Sequence, residues 1–262
     1  MMCFSILLSV NIFKITLVKG YVTWSIQRPM GIAVDGSGNV YVVDSNSSHV
    51  EKFTSFGVYL GQVDSGQLSN PCGIAVDGSG NVYVVDSNNN RVVKFLTDST
   101  VQTWGVYGTG NGEFRYPYGI AVDGSGNVYV ADTSNNRVEK FTSDGTYVSQ
   151  FGSQGTGDGE FNGPYGIAVD VSGNVYVTDM GNDRVEKFLD DGTGTFPFQC
   201  QFGSYGTGDG QFKQPLGIAV DSSGYVYVAD SLNDRIQKFY SPPPGLNYVF
   251  HAKWGRDRKS VV

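Results

Sequence analysis

The chain has 262 residues, enough for one large domain, and 40% of them are hydrophobic. A net charge of −7 and a pI near 4.7 make it repel phosphate backbones, so nucleic acid is disfavoured as a partner. Cys3, Cys72 and Cys200 show no zinc or disulfide spacing, and no apolar run is long and uninterrupted enough to span a membrane.

Residues 1–24 have two readings. Cys3 to Val10 is apolar like the core of a signal peptide, yet no Lys or Arg precedes it and no small-x-small cleavage site follows. Alternatively, Lys14-Ile15-Thr16 aligns with Lys140-Phe141-Thr142, and both are followed at the same spacing by Tyr-Val-Thr/Ser, at Tyr21 and Tyr147. We read 1–24 as a degenerate partial copy of the unit that follows, with the signal-like segment as the alternative.

From Pro29 the chain repeats itself, restarting at Pro71, Pro117, Pro164 and Pro215. A period of 42 to 51 residues marks a repeat architecture. Gly-Ile-Ala-Val-Asp opens each copy as a short strand. Asp-Gly-Ser-Gly-Asn, as at Asp35 to Asn39, is a turn, because glycine supplies positive φ and Asp bonds nearby backbone. Asn-Val-Tyr-Val-Val-Asp is a second strand, rich in β-branched and aromatic residues. A polar turn, as at Ser87 to Asn90, leads to a third strand such as Arg91 to Phe95. Val58 to Leu60, Val101 to Trp104, Tyr147 to Phe151, Phe198 to Phe202 and Tyr248 to Phe250 supply a fourth. Four antiparallel strands per unit predict an all-β propeller blade. The partial N-terminal copy makes six blades the expected number, with repeats over 25–255.

A glycine-rich linker precedes the last three copies: Gly108 to Phe114, Gly155 to Phe161 and Gly206 to Phe212. It lacks the Gly-Lys-Ser/Thr ending of a phosphate loop, and no helix follows. We read it as a blade connector with one aromatic anchor. After Gly255, Asp257 to Val262 looks like a translated sequencing-adapter remnant, so 256–262 is expected to be a non-native tail.

Pro-x-Gly-Ile-Ala-Val-Asp, then Asn-Val-Tyr-Val-Ala-Asp, then Asn-Asn-Arg-Val-x-Lys-Phe, resembles the NHL repeat. The resemblance covers about residues 25 to 255. It implies a propeller, usually six-bladed, that binds protein, peptide, RNA or a small ligand.

Two aspartates recur in every copy: Asp35, Asp77, Asp123, Asp170 and Asp221, then Asp44, Asp86, Asp132, Asp179 and Asp230. Rings of carboxylates suggest a metal site. Each, however, ends a strand before a turn, where Asp caps backbone donors. The second set also precedes an Arg by five residues in most copies, a spacing suited to a charge-assisted pair across a hairpin.

Propeller lyases and hydrolases need an irregular set of metal ligands. The histidines here are His49 and His251 alone, and no nucleophile elbow is present. The expectation is therefore a non-catalytic scaffold without cofactor or metal, engaging a protein, peptide or glycan. A streptogramin-lyase-like or lactonase-like propeller is the alternative, and RNA binding is disfavoured by charge. Variable positions within the fixed frame are the candidate contacts: Met30, Cys72, Tyr118, Tyr165 and Leu216, between the Pro and Gly of each copy, extended by Arg115 and Tyr116. They are expected to ring one mouth of a central channel. The compartment is open, with repeats and turns of this kind suiting a secreted or cell-surface protein.

Overall fold

The computed structural model describes residues 26–63, 66–240 and 248–255. These divide after Phe151 into two compact units. The first holds three four-stranded antiparallel sheets. Blade 1 is β1 (Pro29–Val34), β2 (Val40–Asp44), β3 (His49–Phe53) and β4 (Tyr59–Gln62). Blade 2 is β5 (Pro71–Val76), β6 (Val82–Asp86), β7 (Arg91–Phe95) and β8 (Val101–Trp104). Blade 3 is β9 (Ile120–Val122), β10 (Val128–Asp132), β11 (Arg137–Phe141) and β12 (Tyr147–Phe151). The second unit holds two. Blade 4 is β13 (Pro164–Val169), β14 (Asn174–Asp179), β15 (Arg184–Leu189) and β16 (Phe198–Phe202). Blade 5 is β17 (Pro215–Val220), β18 (Tyr225–Asp230), β19 (Arg235–Tyr240) and β20 (Val249–Gly255).

Strand order is sequential in every sheet, so each blade is a meander of three hairpins. Five blades are described, where the repeat reading leads to six. The partial copy over 1–24 and the tail over 256–262 lie outside the described residues. Among the described residues, no helix is long and apolar enough to cross a membrane.

The first hairpin is locked by the first aspartate set. Asp35 Oδ1 accepts the Ser37 and Asn39 backbone amides at 2.9 and 2.8 Å, and its Oδ2 accepts from Asn39 Nδ2 and the Tyr41 hydroxyl. Asp77, Asp123 and Asp170 repeat that pattern with Asn81, Asn127 and Asn174. These carboxylates cap turns, as the sequence implies. At Asp77, burial pushes the carboxyl up, but the bonds from Asn81, Tyr83 and Ser79 outweigh it and hold it below the usual range.

The second strand of blade 2 is apolar on both faces because blades 1 and 3 cover both sides of it. Val82, Tyr83, Val84 and Val85 are all buried. Tyr83, Val85 and Val92 of blade 2 pack on Phe114, Ile120, Val128, Val130 and Phe141 of blade 3 and its linker. In the second unit Tyr176, Val185 and Phe202 meet Phe212, Val226, Val228 and Phe239 in the same way. Each such side chain contributes about 1.5–3 kcal/mol relative to leaving it in water. Fourth strands alternate between half-buried and exposed, as in β12, and carry the polar residues.

The first strands stand side by side within each unit, β1 by β5, β5 by β9, and β13 by β17. The recurring glycine of Pro-x-Gly permits this. A Cβ on Gly31 would lie 2.4 Å from the Cys72 carbonyl oxygen, and one on Gly73 would lie 2.4 Å from that of Tyr118. On Gly166 it would lie 2.3 Å from the Leu216 carbonyl. Real Cβ atoms do not tolerate such a distance, so the position must be bare for the next blade's backbone to approach.

Candidate functional site

One end of each blade is built by a single polar network. The second aspartate set ends the second strand, and its carboxylate collects donors from three directions. Asp132 Oδ1 accepts the Arg115 backbone amide at 2.7 Å. Its Oδ2 accepts from Asn135 Nδ2 at 2.7 Å and Arg137 Nε at 2.8 Å. Asp179 and Asp230 do the same with Asn162, Asn182 and Arg184, and with Lys213, Asn233 and Arg235. The Asp–Arg pair legible as a five-residue spacing is therefore present, at 2.7 to 2.9 Å in blades 2 to 5. In blade 1 His49 stands in the arginine's place, opposite Asp44 in the register.

The arginine also holds down the linker. Arg137 donates to the carbonyls of Thr109, Gly110 and Glu113 and to Gln150 Oε1. Arg184 donates to Thr156, Gly157 and Glu160 in the same pattern. The linker folds back on itself: Glu113 Oε2 accepts the Thr109 and Gly110 amides, and Phe114 is wholly buried. The glycine-rich segment is thus a connector fastened to its blade, with its backbone groups already committed. Asn135 Nδ2 bonds the Gly108 carbonyl, and Asn182 and Asn233 bond Gly155 and Gly206 likewise. The linkers and the turns between second and third strands therefore share one end of the blades. The Asp-Gly-Ser-Gly-Asn turns occupy the other.

Beneath the linker sits a second acid on the third strand. Glu139 and Glu186 are buried, and each takes a linker glycine amide, Gly112 at 3.2 Å and Gly159 at 3.1 Å. Arg184 Nη2 approaches Glu186 Oε1 at 2.6 Å but out of line for a hydrogen bond, and Glu139 Oε2 has no hydrogen-bond partner. Burial pushes both carboxyls up to about 7 despite the guanidinium beside each. In blade 5 the position is Gln237, which accepts the Gly210 amide at 2.9 Å and donates to the Gln211 carbonyl and Asp230.

The variable residues lie at this linker end, at the start of the first strand or, for Tyr118, just before it. Met30, Tyr118, Tyr165 and Leu216 are half-buried. Cys72 departs from the expected surface role: it is 3% exposed, its thiol donates to the Asn70 carbonyl at 3.3 Å, and burial pushes it up to about 12. It presents no surface to a partner. Arg115 and Tyr116 do lie at the surface. Tyr116 precedes a proline yet has φ +46°, held there by Asn90 Oδ1, which accepts its amide at 2.8 Å. Gln214 repeats this at φ +48° with Asp183 Oδ1. Such a conformation is disfavoured before proline and persists only where the surroundings fix it.

Three residues at this end were not singled out by the sequence. The Arg115 guanidinium lies over the Tyr107 ring at 5.5 Å, and the Lys213 ammonium over the Tyr205 ring at 5.3 Å. Tyr107 and Tyr205 are 60% and 68% exposed. Neither cation has a carboxylate partner among the described residues. The available signal was positional: Tyr immediately precedes the linker and a cation follows its phenylalanine in both copies. Beside Lys213, a cleft of about 430 Å³ is lined by Met180, Gly181, Asp183, Tyr205, Gln214 and Leu232.

Solved structures similar to this chain are propellers of distant sequence. Virginiamycin B lyase from Staphylococcus aureus matches with TM-score 0.63 and 14% identity, covering 87% of this chain and 70% of that one. A nidogen/laminin complex matches with TM-score 0.63 and 21% identity, covering 81% and 75%. At such identities the likeness shows the fold alone. Among curated proteins, the B-box type zinc finger protein ncl-1 of Caenorhabditis elegans is 48% identical over 42 residues, 16% of this chain and 5% of its own length. Protein brain tumor of Drosophila melanogaster is 45% identical over 42 residues, and the E3 ubiquitin-protein ligase TRIM71 of Bos taurus 48% over 52. These matches cover 16% and 20% of this chain but only 4% and 5% of the two relatives. The NHL repeat model matches residues 27–53, 68–95, 114–141, 161–188 and 212–239, which together exceed half the chain. The chain belongs to the NHL repeat family, a β-propeller of four-stranded antiparallel blades.

Proposed function

We propose that the chain is a non-catalytic binding scaffold that engages a protein or peptide through the linker ends of individual blades. The observation that carries this reading is the repeated pairing of an exposed tyrosine with a cation free of carboxylate partners, Tyr107 with Arg115 and Tyr205 with Lys213. Exposed aromatic and cationic side chains on a rigid frame are the composition of protein-recognition hot spots. The frame is rigid because the linker under each pair is held by Arg137 or Arg235 and by a buried phenylalanine. The recurring acids support a structural role for the carboxylates, since turns or arginines take them up. His49 opens β3 opposite Asp44, and the His251 ring packs on Tyr225 at 5.3 Å. One structural neighbour was solved as a complex of two proteins, nidogen with laminin, and one relative is named a ubiquitin-protein ligase. Both fit a propeller used for protein recognition.

The test is a peptide-display selection on the wild-type chain with the variant Tyr107→Ala, Arg115→Ala, Tyr205→Ala, Lys213→Ala as counter-selection. Selected peptides should lose at least about tenfold in affinity on the variant, with its circular dichroism unchanged. Peptides that bind both chains equally would place recognition elsewhere.

A further inference from the structure

Within each unit the blades meet through a recurring aromatic joint, and one joint is unfilled. Between blades 2 and 3, the Trp104 indole stands 6.3 Å from the Tyr83 ring and 6.1 Å from Phe141, whose other edge meets Tyr147 at 6.0 Å. Between blades 4 and 5, Phe202 takes the indole's place, 4.8 Å from Phe239 and stacked on Tyr248 at 4.5 Å. Between blades 1 and 2 the frame is the same, with Tyr41 for Tyr83 and Phe95 for Phe141. The fillers are not. Val63 bonds Val50 where Trp104 pairs with Val92, and Val101 pairs with Phe95 where Tyr147 pairs with Phe141. Two valines for a tryptophan and a tyrosine leave a cleft of about 430 Å³, walled by Tyr41, Val63, Val82, Phe95 and Val101. That volume lies within the range of about 300–1,000 Å³ of small-molecule sites.

The cleft also has a cation. In the filled joint Lys94 lies over Tyr83 at 4.9 Å and its ammonium donates to the Ser143 carbonyl at 2.8 Å. Lys52, its counterpart, lines the cleft over Tyr41 at 4.8 Å and has no carboxylate partner among the described residues. Asp35, which receives the Tyr41 hydroxyl, is occupied by its turn, and Asp98 by Thr100.

We propose that the cleft between blades 1 and 2 is a binding site for a small planar aromatic carboxylate. The ring takes the space that the Trp104 indole fills one joint along, between Tyr41 and Phe95, and the carboxylate meets Lys52. Gly80 and the 96–100 turn line the cleft, so it opens at the end of blades 1 and 2 away from Tyr107 and Arg115. Charge-assisted bonds are the stronger class, so the carboxylate sets the preference among ring ligands.

Indole-3-acetate and its uncharged analogue 3-methylindole are the probes, titrated calorimetrically into the full chain. Indole-3-acetate should bind at one site and 3-methylindole at least about tenfold more weakly. Lys52→Met should remove that preference and leave the ring affinity in place. Val63→Trp should abolish binding of both probes and raise the melting temperature by filling the joint. Val101→Tyr fills the same space from the other wall, so one variant remains informative should the other fail to fold. Absence of indole-3-acetate binding overturns the proposal. So does binding that survives both filled variants, or equal affinity for the two probes on the wild-type chain.

Discussion

Glu139 and Glu186 are buried side chains whose carboxyls burial pushes from 4.5 up to about 7. Each shares one guanidinium with a second buried acid, Asp132 or Asp179, so each site holds more negative than positive charge. A carboxyl whose folded value lies above its unfolded value stabilises the fold below the unfolded value, where both states carry the proton. That stability is lost as pH rises through the folded value. The loss falls between about pH 5 and 8 and amounts to about 2–3 kcal/mol per site. Gln237 shows what a neutral group does in the same place: it keeps the glycine amide and adds two donated bonds. Glu139→Gln with Glu186→Gln should therefore match the wild type near pH 5 and exceed it in stability at pH 8. Urea denaturation at the two pH values measures this, and parallel wild-type and variant profiles would exclude the two acids as its source.

At the scale of the element, linker and blade are one unit because a single arginine spans them. Arg137→Ala leaves Asp132 buried and unpaired and strips the carbonyls of Thr109, Gly110 and Glu113 of their donor. The expected cost is about 3–5 kcal/mol, the usual range for one partner removed from a buried pair. Hydrogen exchange of the linker amides should rise most, and uniform destabilisation without that signature would count against the clamp. The joint between first strands gives a second, sharper contrast. Gly73→Ala forces a Cβ onto the Tyr118 carbonyl and should cost about 1–3 kcal/mol. Gly78→Ala meets nothing within 4 Å and should be neutral or stabilising by up to about 1 kcal/mol. Equal effects in thermal denaturation would show that the glycine's role is not room for the neighbouring backbone. The hairpins, the turn aspartates and the Asp–Arg pair were legible in the sequence because each is a contact between residues close along the chain. The bare glycine was legible only as a small residue, since the carbonyl that demands it lies on the next blade. The burial of Cys72 was hidden for the same reason: its Pro-x-Gly slot carries an exposed-looking frame, and packing by neighbours decides what the slot sees.

Across the whole molecule, a net charge of −7 goes with local cations at the linker end, Arg115 and Lys213. The pairs are isolated, not a continuous basic stripe, so the chain should not bind a generic single-stranded RNA tightly at physiological salt. Fluorescence anisotropy with a labelled oligonucleotide checks this, and a submicromolar, steeply salt-dependent complex would reverse the partner assignment. The aromatic–cation pairs themselves escaped the sequence because Tyr107 and Arg115 meet only after the linker folds back through the Tyr107–Phe114 bridge. The contact between Gly31 and the Cys72 carbonyl has a further consequence. What one blade shows its successor is a missing side chain, and what the successor shows in return is peptide backbone. Neither depends on which residue occupies the slot between proline and glycine. A blade copied in tandem can then dock on its neighbour through backbone alone, whatever residue the slot carries. Methionine, cysteine, tyrosine and leucine all stand at equivalent slots of docked blades.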